Sequence, residues 1–244
     1  MNLCGATALV TGGAIRLGRE ISFALARAGT NVVVCYRHSH DAAEETACEA
    51  RAQGVRAVTV QADAADGCQI DSVISRLRGE FPRIDILVAN AGRFRRTPFQ
   101  TLTEAEWADL MRNNLDVFRV PATRIGRLMK AQGSGCIIAM ADIAGLRPWT
   151  GYAPYSVAKA GVISLTRALA RELAPEVRVN AVAPGPILFP ADGDEGAFRR
   201  EIARTLLQRH GEPSDIADAV LFLARADFVT GVVLPVDGGR ALAE

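Results

Sequence analysis

Seven short apolar runs, separated by longer amphipathic stretches, constrain the fold of this 244-residue chain more than any other feature of its sequence. Continuous apolar runs are typical of strands buried on both faces, as in a parallel sheet covered by helices. The runs are ATALVTG, TNVVVCY, RAVTVQA, DILVANAG, GCIIAMA, VRVNAVAPG and GVVLPVDGG. Between them, the apolar period of amphipathic helices recurs, and the clearest candidates are 17–28, 41–53, 66–79, 103–131, 153–173 and 213–225.

This alternation of strand and helix predicts an α/β fold with a single Rossmann-type, doubly wound parallel sheet of about seven strands, flanked by helices on both faces. No repeat or linker interrupts the pattern, so we expect one domain over 1–244. The one long interruption is the segment PGPILFPADGDEGAFRR at 184–200. A loop of this length is typical of a lid over a site, with a plain surface excursion as the alternative.

The amino-acid composition limits the classes of partner and of binding site that we expect. A formal net charge of +1, from 28 basic and 27 acidic residues, gives no global field for a polyanion, so we expect no nucleic-acid partner. The basic run RFRR at 93–96 fits the mouth of an active site or a subunit contact better. The chain shows no targeting peptide or membrane segment, which predicts a cytoplasmic protein. Its three histidines do not cluster, and its five cysteines lack metal-ligand spacing, so we expect neither a metal nor a disulfide framework.

The turn after the first run, TGGAIRLG at 11–18, carries glycines where a strand is expected to lead into a helix. Glycine lets the backbone approach a pyrophosphate, whose charge is favoured by the free N–H groups at the helix N-terminus. A structural turn is the alternative, but the position directly after the first strand favours a nucleotide site. The candidate residues are Thr11, Gly12, Gly13 and Gly18.

The end of the second strand, VVVCYRHSH, indicates which dinucleotide binds. An NAD site usually has an acid here for the ribose 2′-hydroxyl, whereas this chain has Arg37, His38 and Ser39. These groups suit a 2′-phosphate, and Arg16 is expected in the same region, so NADPH (NADP⁺) is the predicted cofactor. A solvated basic strand end is the alternative. Asp63, after the third strand, is a candidate acceptor for the adenine amino group, or else a helix N-cap.

Tyr155 and Lys159 are spaced i and i+4 in GYAPYSVAK, so on a helix they share one face. A phenol titrates near ~10, and a nearby ammonium would lower that pKa and give a proton donor for a carbonyl or imine. Three further segments support a catalytic role for this motif. They are NAG at 90–92, RNNLDVF with Asn114, and VNAVAPG at the end of the sixth apolar run.

With these motifs the chain resembles the classical short-chain dehydrogenase/reductase family over essentially its whole length, down to VDGG near the C-terminus. The resemblance implies a nicotinamide cofactor, a cofactor half at about 1–90, a catalytic and substrate half at about 91–244, and a homotetramer built on 103–131, 153–173 and the last strand. It implies catalytic roles for Asn114, Tyr155 and Lys159. The implied cofactor contacts are Thr11, Gly12, Arg16, Leu17, Gly18, Arg37, His38, Ser39, Asp63, Ala64, Asn90, Ala91, Gly92, Tyr155, Lys159, Pro184, Gly185 and Ile187.

Two departures from that family point to one of its branches. The family has a serine thirteen residues before the tyrosine, where this chain has Asp142, and Arg16 replaces a glycine of the first loop. Both departures are similar to the pteridine reductase and dihydromonapterin reductase branch, which also places an aromatic that stacks on the pterin at the position of Phe94. The branch often has serine at the position of Gly92. The implied substrate contacts are Arg16, Phe94, Asp142 and Tyr155.

The resulting hypothesis is an NADPH-dependent reductase that transfers hydride to a C=N bond of a dihydropterin, such as dihydrobiopterin, dihydromonapterin or a dihydrofolate-like molecule, in folate metabolism. An exposed aspartate titrates near ~4, so Asp142 needs burial to raise its pKa before it can share proton delivery with Tyr155. Alternatively, Asp142 only holds a loop and Phe94 belongs to the core. The protein would then be a ketone or 3-oxoacyl thioester reductase, or else a non-catalytic NADP(H) sensor.

Overall fold

The computed structural model describes residues 1–189 and 195–243, and its centre is one seven-stranded sheet. All strand pairs are parallel, in the order β3-β2-β1-β4-β5-β6-β7. Every strand lies within one of the seven apolar runs, so the predicted α/β doubly wound fold is confirmed. The strands are β1 (Thr7–Thr11), β2 (Asn31–Tyr36), β3 (Ala57–Gln61), β4 (Ile86–Ala89), β5 (Gly135–Met140), β6 (Val177–Pro184) and β7 (Val233–Val236).

Five of the six predicted helical stretches form single helices, and a further helix, Glu195–Ala203, begins within the segment predicted as a lid. The apolar period over 103–131 predicts one helix, whereas α4 and α5 are separated there by a π-helical turn, Arg112–Asp116. A π turn inserts one extra residue and is frequent at functional sites, and the apolar pattern does not reveal it. The helices are α1 (Arg16–Arg27), α2 (His40–Arg51), α3 (Gly67–Glu80), α4 (Glu104–Met111), α5 (Val117–Ala131), α6 (Ala153–Leu173), α7 (Glu195–Ala203) and α8 (Pro213–Arg225).

The core consists of two apolar layers, one on each face of the sheet. Successive strand residues point to opposite faces, so Leu9 of β1 contributes to one layer and Val10 to the other. Helices α3, α5 and α6 cover the Leu9 face, while α1, α2 and α8 cover the Val10 face. Because both faces are covered, the strands are apolar throughout rather than alternating.

The order of the strands in the sheet indicates where a ligand-binding crevice lies. From β1 the chain proceeds outward to β2 and β3, then crosses back to β4 on the other side of β1. In open α/β sheets, ligands bind outside the carboxyl ends of the strands at this switch point. The loops after β1 and β4 therefore border the candidate site.

The segment predicted as a lid, 184–200, differs in part from that prediction. Its last residues are helical, since α7 begins at Glu195, and residues 190–194 lie outside the described part of the chain. Its function as a lid stays a prediction. Within residues 1–189 and 195–243, no helix is long and apolar enough to cross a membrane.

Candidate active site

The loops after β1 and β4 are joined directly by hydrogen bonds. Thr11 Oγ1 accepts from the backbone N–H groups of Asn90 and Ala91, each at 3.1 Å. The Asn90 amide in turn donates to the carbonyl oxygens of Thr11 and Gly12, at 3.1 and 3.0 Å. Four of the predicted cofactor residues therefore fix the shape of the crevice.

The glycine loop has the geometry that a pyrophosphate needs. Gly12 has a φ of 61°, and a Cβ on Gly18 would lie 1.9 Å from the Gly12 carbonyl oxygen, so a side chain at either position would open the turn. Within the described residues, no side chain caps the N-terminus of α1, whose N-cap is Ile15. The first N–H groups of that helix are therefore suited to a phosphate, and the loop fits a dinucleotide. Of the neighbouring predicted contacts, Leu17 is partly buried against the core and Ala64 is buried.

At the predicted 2′-phosphate site, Arg37 lies in a network of polar side chains. It contacts His38 Nε2 at 2.8 Å, Asn113 Oδ1 at 3.2 Å and Asp63 Oδ2 at 3.6 Å. Arg112 also pairs with Asp63 Oδ2, at 2.9 Å. Two guanidinium groups thus share one carboxylate, which leaves net positive charge at the end of β2. Ser39 is the N-cap of α2 and makes no side-chain cap bond within the described residues.

Asp63 holds these arginines and does not cap a helix. Burial alone would raise the pKa of Asp63, but the Ala65 N–H and the charges of Arg112 and Arg37 outweigh it and lower the pKa. Asp66, rather than Asp63, caps α3 by accepting from Cys68 and Gln69. The N-cap alternative for Asp63 is therefore wrong, and its contact with adenine stays a prediction.

Asp142, Tyr155 and Lys159 come together at the carboxyl end of β5. The Tyr155 hydroxyl donates to Asp142 Oδ2 at 2.7 Å, and Asp142 Oδ1 accepts from the Ala144 N–H at 2.7 Å. Lys159 Nζ donates to the Met140 carbonyl oxygen at 2.8 Å and lies 5.7 Å from the centroid of the Tyr155 ring. Asp142 therefore does more than hold its loop, because it contacts the predicted proton donor directly.

Burial pushes all three groups towards their neutral forms. It raises the pKa of Asp142, an effect that the Ala144 N–H, the Lys159 charge and the Tyr155 hydroxyl only partly offset. Burial also raises the pKa of Tyr155 well above its usual value, and the Asp142 carboxylate adds to this. The pKa of Lys159 is lowered by burial, against the attraction of Asp142. The prediction of a lowered Tyr155 pKa is wrong for this arrangement, because burial and Asp142 both disfavour the phenolate.

Asn114 lies on the π turn and ties it to the loop after β4. Its amide donates to the carbonyl oxygens of Arg93 and Leu110 at 2.9 and 3.0 Å, and its Oδ1 accepts from the Arg93 N–H at 3.1 Å. A Cβ on Gly92 would lie 3.3 Å from Asn114 Oδ1 and 3.7 Å from Lys159 Nζ. The side chain of Asn114 thus positions the loop that borders Lys159.

Phe94 is part of an aromatic cluster beside Tyr155, which we name the aromatic wall: Phe94, Trp149 and Tyr152. Phe94 stacks on Tyr152 with centroids 4.9 Å apart and meets the Tyr155 ring edge-on at 5.2 Å. Trp149 meets the Phe94 and Tyr152 rings edge-on, at 6.3 and 5.8 Å. Phe94 is 43% exposed, so the alternative that it belongs to the core is wrong.

Two other predicted sites differ from expectation. Arg16, with a φ of 54°, donates to the Phe189 carbonyl oxygen at 3.0 Å, so in this structure it reaches the loop after β6 and not the network of Arg37. The Gly185 N–H donates to Val236 and ties Pro184–Ile187 to β7. The Ile187 side chain is buried in the core, so a contact with a cofactor would come from its main chain.

Sequence reasoning missed four residues of this site: Trp149, Tyr152, Arg112 and Asn113. Tyr152 is the N-cap of α6, three residues before Tyr155, and its closeness in the sequence could have indicated it. The other three depend on long-range contacts that no spacing reveals. In the described part of the chain, no group of three or more histidine, cysteine or acidic residues could hold a metal ion.

Comparison with known proteins agrees with this geometry. Residues 13–241 match the family model described as enoyl-(acyl carrier protein) reductase. A 3-oxoacyl-(acyl-carrier-protein) reductase of Synechocystis sp. is 38% identical, covering 98% of both chains. The reductase FabG of Staphylococcus epidermidis is 37% identical, covering 96% of this chain and 98% of that protein. The structure of NADPH-dependent 3-quinuclidinone reductase from Rhodotorula rubra aligns with a TM-score of 0.92 and 28% identity, over 99% of this chain and 93% of that one. These relatives are named as ketone or oxoacyl reductases and not as pteridine reductases.

Proposed function

This chain belongs to the classical short-chain dehydrogenase/reductase family, and from that premise we propose that it is an NADPH-dependent reductase of a 3-oxoacyl thioester or related ketone. The observation that carries the proposal is the hydrogen-bonded pair of Asp142 and Tyr155 beside Lys159, at the sheet's switch point. Full-length relatives named as 3-oxoacyl reductases support this substrate class over the pterin first expected.

The choice of NADPH over NADH rests on the charge at the end of β2. Arg37 and Arg112 share the single carboxylate of Asp63, so one positive charge remains uncompensated there. A 2′-phosphate matches that charge, whereas a 2′-hydroxyl would leave it unmatched. The named NADPH dependence of the 3-quinuclidinone reductase is consistent with this choice.

In the proposed mechanism, bound NADPH supplies the hydride. Tyr155 donates its phenolic proton to the heteroatom of the substrate's double bond, and the Lys159 ammonium attracts the phenolate that remains. Asp142 lies 2.7 Å from the Tyr155 oxygen, and burial raises its pKa, which favours the protonated form that returns a proton to Tyr155. Because a protonated carboxyl is neutral, it also avoids repulsion with the oxygen on which charge develops.

A second candidate, reduction of a dihydropterin C=N bond, is favoured by the aromatic wall. Phe94 is 43% exposed and lies next to Tyr155, so a planar ring could stack on its exposed part. Asp142 would again supply the second proton-handling group. In this reading Arg16, Phe94, Asp142 and Tyr155 contact the pterin.

The test is NADPH oxidation by the purified protein with an acetoacetyl thioester, dihydrobiopterin, dihydromonapterin and dihydrofolate in parallel, and with NADH in place of NADPH as the control. Turnover of the thioester with NADPH is the expected result. Turnover of a dihydropterin alone would replace the leading candidate with the second. Tight NADPH binding without turnover of any of them would indicate a non-catalytic NADP(H) sensor.

A further inference from the structure

One cation in the loop after β4 is left without an acid. Arg93 pairs with Asp109 at 3.2 Å, and Arg95 pairs with Glu106 at 2.7 Å, both on α4. Arg96 is exposed and has no acidic partner among residues 1–189 and 195–243. An exposed arginine needs no partner for stability, so its position decides whether it can bind a ligand.

The position of Arg96 is fixed by the residue that follows it. The Thr97 N–H donates to the Gly151 carbonyl oxygen at 2.7 Å, and Thr97 is only 2% exposed. A Cβ on Gly151 would lie 3.3 Å from Arg96 Nε. The Arg96 side chain therefore lies beside the turn that leads into α6, where Tyr155 lies.

Arg96 also lies beside the aromatic wall. Burial raises the pKa of Tyr152, and the positive charge of Arg96 partly offsets that rise. Tyr152 stacks on Phe94, which meets Tyr155 edge-on. The rings of Phe94 and Tyr152 thus lie between the proposed proton donor and Arg96, which has no acidic partner in the described part of the chain.

The acid that acts electrostatically on Tyr152 is itself paired with arginines. Glu201 of α7 acts electrostatically on Tyr152, but its Oε2 accepts from Arg240 at 2.8 Å and its Oε1 pairs with Arg204 at 3.0 Å. Two arginines against one glutamate leave this side of Tyr152 positive as well. Arg96 therefore remains available for an external anion.

We propose that Arg96 is a specificity-determining residue that binds a phosphate or carboxylate on the tail of the substrate whose reacting double bond lies beside Tyr155. A guanidinium matches both anions in a bidentate geometry, and the aromatic wall covers the apolar part of the tail between the two ends. The inference rests on the proposed function and deepens it, because it assigns the substrate an anionic tail.

Isothermal titration of the NADP⁺-loaded protein tests it with two matched ligand pairs. Acetoacetyl coenzyme A is compared with neutral acetoacetyl N-acetylcysteamine, and dihydrofolate with neutral 6-methyldihydropterin. One charge-assisted hydrogen bond corresponds to a preference of about tenfold in Kd for the anionic member of at least one pair. A preference in the first pair identifies a phosphate tail, and one in the second identifies a carboxylate tail.

Arg96→Ala is expected to abolish the preference without weakening binding of the neutral ligand. Arg95→Ala, on the same loop but paired with Glu106, is the matched control and should keep it. Equal affinities for both members of each pair, absence of binding, or an equal loss in both variants would overturn the inference. Arg96-dependent binding without NADPH oxidation would uphold it and reject the reductase instead.

Discussion

Asp142 is the residue whose chemistry distinguishes this site from one built on a serine. It contacts Tyr155 at 2.7 Å, and burial raises its pKa, so we expect it to act as a proton reservoir. Loss of a general acid costs about 10²–10⁴-fold in rate, and we expect a fall in kcat of that size for Asp142→Ala. Asp142→Ser should retain more activity, because a hydroxyl still provides a neutral donor. Steady-state NADPH oxidation by both variants is the measurement.

The pH profile separates this role from a structural one. If the acid form of Asp142 is required, the rate falls as pH rises through its pKa, which burial has moved above the ordinary value of an aspartate. Asp142→Ser should lose that descending limb, since serine does not titrate there. Asp218→Ala, an exposed aspartate on α8, is the control and should keep it. An unchanged rate and profile in Asp142→Ala would show that Asp142 takes no part in proton transfer.

We expect Arg37 to determine the preference for NADPH over NADH. Arg37→Ala removes one of the two guanidinium groups beside Asp63 and leaves that carboxylate paired only with Arg112. A hydrogen bond to a charged group corresponds to about 10–100-fold in affinity, so Kd for NADPH should rise by that factor while Kd for NADH stays nearly constant. Fluorescence titration with both nucleotides measures this. An equal loss for the two would place Arg37 outside the 2′-phosphate site.

At the scale of secondary-structure elements, sequence reasoning succeeded where the chemistry follows from position along a strand or helix. Parallel strands bring their carboxyl ends to one edge, and Thr11 and Asn90, both predicted as cofactor contacts, form a hydrogen bond there. The i, i+4 spacing likewise placed Tyr155 and Lys159 on one face of α6. Both inferences need only local geometry and a strand order.

The features that sequence could not predict depend on contacts between elements. The π turn that carries Asn114 leaves the apolar pattern of 103–131 unbroken. Stacking of Phe94 on Tyr152 depends on how the loop after β4 folds against the start of α6. The pKa of Tyr155 rises because burial and the carboxylate of Asp142 act together, and spacing to Lys159 alone indicated the opposite direction.

We expect the loop between β1 and α1 to tolerate no side chain at Gly18, whereas α3 should tolerate one at Gly79. A Cβ on Gly18 would lie 1.9 Å from a backbone oxygen, so Gly18→Ala must displace the turn that is expected to hold the pyrophosphate. We expect loss of NADPH binding and a lower Tm. A Cβ on Gly79, in α3, would meet nothing within 4 Å, so Gly79→Ala should bind NADPH normally. It should also gain about 0.5–1 kcal/mol in unfolding free energy, because alanine is the better helix former. Normal NADPH binding by Gly18→Ala would show that the turn does not hold the cofactor.

At the scale of the whole molecule, apolar side chains remain exposed on α6 and next to β7, which are expected to form subunit contacts, and also on α8. Phe222 of α8 is 55% exposed, Val157 of α6 is 46% exposed, and Val232, next to β7, is 36% exposed. Exposed apolar side chains of this size are typical of interfaces between proteins. The proposed homotetramer would cover these side chains without involving the crevice at the switch point.

This proposal predicts a mass in light scattering of four times the 26.0 kDa of one chain. Phe222→Asp introduces a charge that would be buried and unpaired at the interface, so we expect it to lower the mass while the far-ultraviolet circular dichroism stays native. Gln53→Asp adds the same charge on an exposed turn after α2 and should leave the mass unchanged. Because each crevice is formed by the loops of one sheet, the dissociated Phe222→Asp protein should still bind NADPH. A wild-type mass of one chain would reject the tetramer, and loss of NADPH binding on dissociation would show that a neighbouring subunit supports the site.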